Sequence, residues 1–308
     1  MIIMKELIHN ILNKIEGDDR ISIAQPKFKN RHIFDDLSGY FKSELSKEEK
    51  MSLYYYMSHS EKALNHYRNR EFYQGDGSFK KLFPLDDFFS DKIRSGMMSL
   101  HYSLSSYKNY VESNYPLAMS EIDAAKLLAI EQSKTFPYFV IAIGEQWLNK
   151  VRVLIKTGNL SDTISETILL NHFLLYGKHS DQTAVANIET VETEHRKLML
   201  THVINSIDTA LGKSFKGKED FYSIISKEIP TSEPVHQELK PIIDAYQVIN
   251  AVSKGEADFL EQLVQNFNNI ETCPKALKQF IFNEFIRVCS VQGLALSGEV
   301  NNKILSRY

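Results

Sequence analysis

Residues 137–175 read PYFVIAIGEQWLNKVRVLIKTGNLSDTISETILLNHFLL and contain the plan on which the fold is built. Apolar residues recur every three or four positions from Val140 to Ile155, which is the period of an amphipathic α-helix. Gly158 is placed to end that helix, and a second apolar stripe follows as far as Leu174. The stretch therefore predicts two antiparallel helices joined by a short turn.

A second segment, residues 243–267, has the same plan of helix, glycine and helix, with Val252 and Gly255 at its turn. A pair of antiparallel helices cannot bury both apolar faces alone, so such pairs stack on one another. The chain shows no strict repeat period of the tetratricopeptide type. We therefore predict an all-α fold, an irregular stack of about a dozen helices built from antiparallel pairs.

The helical pattern extends to the first part of the chain. Apolar residues at helical spacing predict a helix over residues 2–15, which Gly17 ends. Ser46 and Glu49 have the spacing of a capping box, which predicts a helix over residues 46–73. After a glycine-containing loop, further helices are predicted over residues 85–114, 181–211, 218–229, 232–253, 256–268 and 274–292.

Glycines at positions 75 and 77 predict the loop that follows the second helix, and Pro116 is expected to close the helix over residues 85–114. Pro116 also marks the expected division of the chain. We predict an N-terminal helical region over residues 1–116 and a C-terminal stack of helical hairpins over residues 117–308, within one continuous domain.

The composition narrows the classes of function. The 36 basic and 39 acidic residues give a net charge of −3 without the basic excess of a nucleic-acid binder. The only cysteines are Cys273 and Cys289, which is typical of a reducing cytoplasm. No apolar run approaches the roughly 20 residues of a membrane span, and Glu6 interrupts any signal peptide. We expect a cytoplasmic protein that binds neither nucleic acid nor membrane.

The acidic group Asp86, Asp87 and Asp91 is the sharpest candidate for chemistry. Carboxylates at this spacing on a helix can hold magnesium against a diphosphate, as in terpene synthases. The second metal-binding motif of that chemistry is absent from the sequence. The alternative is that these carboxylates lie in the first turn of a helix, where the helix dipole favours negative charge.

A second candidate group contains Glu192, Glu194 and His195. Di-iron helical bundles bind their metal ions with a glutamate and a histidine three residues apart, which is the spacing of Glu192 and His195. The other pair at this spacing, Glu233 and His236, stands at a helix start, and we expect no metal and no cofactor. Three glutamates and the first acidic group could instead bind a basic surface of a partner protein, or they could simply face solvent. The three glutamates are Glu189, Glu192 and Glu194.

The end of the chain carries a resemblance. Residues 245–256 (AYQVINAVSKGE) form a helix–glycine–helix unit, and residues 280–289, 292–296 (QGLAL) and 303–305 follow it. From residue 147 onward, this layout resembles the helical immunity proteins of bacterial polymorphic-toxin systems, in particular immunity family forty-nine. The resemblance implies a protein that binds and blocks a cognate toxin without turnover of its own.

These patterns are compatible with three functions. We predict a non-enzymatic binding protein, an immunity protein that neutralises a toxin by direct contact. The first alternative is a tetratricopeptide-like scaffold that holds a peptide or protein in a concave groove. The second is a helical metal-dependent enzyme that uses Asp86, Asp87 and Asp91.

Overall fold

The structure is a computed structural model, and it describes residues 2–17, 45–82, 89–177, 193–214, 218–230 and 232–306. Within these ranges every regular element is a helix, so the predicted all-α class is confirmed. Three of the elements are short 3-10 helices: Lys80–Leu82, Pro137–Phe139 and Gln237–Leu239. The α-helices of the described ranges are α1 (Ile2–Glu16), α2 (Lys47–Arg68), α3 (Phe72–Phe79), α4 (Asp91–Val111), α5 (Tyr115–Thr135), α6 (Val140–Thr157), α7 (Leu160–Tyr176), α8 (Thr193–Ser214), α9 (Lys218–Glu228), α10 (Lys240–Val252), α11 (Glu256–Ile270), α12 (Lys275–Val291) and α13 (Gly298–Leu305).

Both predicted glycine turns are present. Gly158 ends α6 in the left-handed conformation at φ 77°, and its amide donates to the carbonyl of Ile155. Gly255 precedes α11 at φ 134°, a conformation that L side chains rarely adopt. Asn159 caps the N-terminus of α7, because its side-chain oxygen accepts from the amide of Asp162.

The predicted capping box at the start of α2 is confirmed. The Ser46 hydroxyl accepts from the Glu49 amide at 3.2 Å, and the Glu49 carboxylate accepts from the Ser46 amide at 2.9 Å. The helix ends at Arg68, five residues before the predicted end. Arg70 then adopts a left-handed φ of 62°, which turns the chain into α3.

The predicted loop at Gly75 and Gly77 is wrong, because both glycines lie inside α3. A Cβ built on Gly75 would stand 2.4 Å from Cε1 of the buried Tyr67 ring. The glycine therefore serves close helix packing and not a turn. Pro116 is likewise not a terminator, since it lies in the first turn of α5, where its missing amide hydrogen leaves no helical bond unmade.

The helices form two compact units that differ from the division expected at Pro116. One unit is continuous and covers residues 30–192, and the other joins residues 1–29 to residues 193–308. Pro116 falls inside the continuous unit because α5, the helix that contains it, packs along α4 over most of its length.

The continuous unit contains α2 to α7. Here α5 packs against α4 and α6, α7 packs against α6, and α2 packs against α3 and α4. Its largest fully buried side chains include Trp147, Tyr67, Phe139 and Phe173. These aromatic rings fill the space between neighbouring helices, as expected of residues on the apolar stripes.

The discontinuous unit combines α1 with α8 to α13. Helix α1 packs against α11 and α13, and its residues Ile8, Ile11 and Ile15 are fully buried. The Lys14 ammonium donates to the carbonyl of Val264 at 2.8 Å. Burial of each isoleucine contributes about 2 kcal/mol, so the first helix of the chain completes a core formed by the last ones. Among the described helices, none has the length and apolar character required to cross a membrane.

Candidate functional site

Only part of the first predicted acidic group lies in the described residues. Asp91 is the first residue of α4, its side chain is 91% exposed, and its carboxylate forms an ion pair with Arg94 at 2.8 Å. Its place in the first turn agrees with the helix-dipole alternative. Asp86 and Asp87 lie outside the described residues.

The second predicted acidic group is divided in the same way. Glu194 is exposed in the first turn of α8, while Glu189 and Glu192 lie outside the described residues. Asp91 belongs to the continuous unit and Glu194 to the discontinuous one. The acidic partner-binding face therefore stays a prediction.

The described residues contain no group of side chains that could bind a metal ion. No three histidine, cysteine, aspartate or glutamate side chains of those ranges are placed to hold a metal ion. His236 caps the 3-10 helix Gln237–Leu239, where its Nδ1 accepts from the Glu238 amide at 3.4 Å. Cys273 and Cys289 are buried, and burial raises the pKa of their thiols to about 12 and about 11.

The interface between α4 and α5 contains polar contacts that the helical periodicity of the sequence does not predict. The Gly96 amide donates to Oε1 of Gln132 at 2.7 Å, and the Ser99 hydroxyl donates to the carbonyl of Ala125 at 2.7 Å. A Cβ on Gly96 would stand 2.9 Å from both the Gln132 side chain and the Phe139 ring. Small residues therefore let the two helices approach closely enough for side chains to bond to backbone.

Further along α4, the carboxylate of Glu121 joins the same two helices. It accepts from the Ser105 hydroxyl at 2.6 Å and from the Asn109 amide at 2.7 Å. Helix α6 is joined to α4 by Gln146, which is 1% exposed and donates to the Ser103 hydroxyl at 3.0 Å. Each of these side chains connects two helices.

Trp147 stands at the centre of a charged network between α5, α6 and α7. Its indole N–H donates to Glu166 at 2.6 Å, and the Lys126 ammonium lies 4.6 Å from the ring centroid. Lys150 contacts Glu166 at 2.9 Å and Asp123 at 3.4 Å. Burial disfavours the charge of Lys150, but the two carboxylates outweigh burial and raise its pKa.

A third polar group joins α2, α3 and α4. The Tyr67 hydroxyl donates to Asp76 at 3.0 Å, and the Lys108 ammonium contacts the same carboxylate oxygen at 2.8 Å. Burial would raise the pKa of Asp76, but the bonds from Lys108 and Tyr67 prevail and lower it. His101, also on α4, is buried and stacks on Phe79, and burial lowers its pKa to about 4.

The discontinuous unit contains comparable contacts. Asn205 on α8 accepts from the Ala276 amide at 3.1 Å and so caps α12 from another helix. The buried Asp244 on α10 accepts from the Asn269 amide on α11 at 2.5 Å. In both units, the polar side chains named here join neighbouring helices.

No family model, curated protein or solved structure matches the chain in comparisons of sequence and fold.

Proposed function

We propose that this chain is a non-enzymatic binding protein of the bacterial cytoplasm that neutralises a cognate toxin by direct contact. The resemblance of residues 147–308 to helical immunity proteins supplies the class of partner. The contacts between helices supply the physical reason.

The observation that carries the proposal is the set of part-buried polar contacts across the helices of the continuous unit. Gln146 connects α6 to α4, Glu121 connects α5 to α4, and Glu166 connects α7 to the indole of Trp147. Breaking such a bond is costly for the groups that are buried, as Gln146 and Trp147 are, because a buried polar group would be left without a partner. The exposed faces of these helices are thus held in one arrangement before a partner arrives.

A preformed surface is an advantage for an inhibitor. Association costs about 0.5–1.5 kcal/mol for each flexible side chain that must become ordered at an interface. A surface that is already ordered avoids part of that loss and can bind tightly over a modest area. The scaffold alternative has less support, since the described helices range from 8 to 22 residues instead of repeating a fixed length.

The test begins with the intact chain carrying an affinity tag in its source organism. We expect one protein to co-purify at equal stoichiometry. Expressed alone in a second bacterium, that protein should arrest growth, and co-expression of this chain should restore it. A co-purifying protein that leaves growth unaffected, or an arrest that the chain does not relieve, would overturn the proposal.

A further inference from the structure

We draw no further inference here: the strongest candidate, the face of α2 on which the side chains of Met51, Tyr54 and Tyr55 are exposed, is an apolar surface patch, and nothing in the structure shows what covers it.

Discussion

Gly75 and Gly77 stand two residues apart in α3 and have opposite surroundings. A Cβ on Gly75 would meet the buried ring of Tyr67 at 2.4 Å, whereas a Cβ on Gly77 would have no atom within 4 Å. Alanine in a helix is favoured over glycine by about 0.8–1.0 kcal/mol. We therefore predict that Gly77→Ala raises the free energy of unfolding by about that amount.

For Gly75→Ala we predict the opposite sign, a loss of about 1–3 kcal/mol, since the Tyr67 ring is fully buried and cannot move aside freely. Urea unfolding of the two variants measures both values. Equal stabilisation by the two substitutions would contradict the close packing of Tyr67 on Gly75.

His101 predicts a dependence of stability on pH. Burial lowers its pKa from 6.5 to about 4 in the folded chain, so the unfolded chain binds more protons between these values. The contribution of the neutral His101 to the free energy of unfolding is fully present above pH 6.5. About 3 kcal/mol of it is lost as the pH falls towards 4. Between pH 7 and pH 4 the unfolding free energy of the wild type should therefore fall by about 3 kcal/mol more than that of His101→Phe. Parallel curves would rule out a buried neutral imidazole.

For Trp147, the sequence predicted burial of the side chain but not its hydrogen-bond partner. Its position on an apolar stripe was evident from the sequence, and it is indeed 1% exposed. Its partner Glu166 lies 19 residues away on another helix. Helical periodicity predicts which face of a helix is buried, but not which polar group of a facing helix lies opposite a given side chain.

The sequence predicted the end of a helix correctly where a hydrogen bond or a backbone conformation of neighbouring residues determines it. The capping box of Ser46 and Glu49 and the turn at Gly158 need only a few neighbouring residues, and both were predicted. Gly75 was misplaced in a loop because its reason, the ring of Tyr67, comes from another helix. The acidic candidates were identified by their spacing in the sequence alone.

The packing of helix α1 can be tested at one buried and one exposed isoleucine. Ile11 is fully buried in the discontinuous unit, while Ile3 on the same helix is 66% exposed. Ile11→Ala should lower the free energy of unfolding by about 2–5 kcal/mol and increase hydrogen exchange in α11 and α13, on which α1 packs. Ile3→Ala is the matched control and should change stability by less than about 0.5 kcal/mol. Equal effects of the two substitutions would refute the packing of α1.

At the scale of the whole molecule, the sequence predicted the class of fold but not the grouping of its helices. An all-α stack follows from scarce glycine and proline and from helical periodicity. The union of α1 with the last helices depends on contacts such as that between Lys14 and Val264, 250 residues apart. No local pattern predicts a contact of that separation.

The most direct test of a non-catalytic inhibitor is a titration of the activity of its purified target with the purified chain. A protein that acts by occupying its target must be present in equal amount, so we predict that activity falls linearly and vanishes at a molar ratio of about one. Loss of activity at a small fraction of that ratio would mean that each copy of the chain inactivates many targets, and the protein would then be an enzyme.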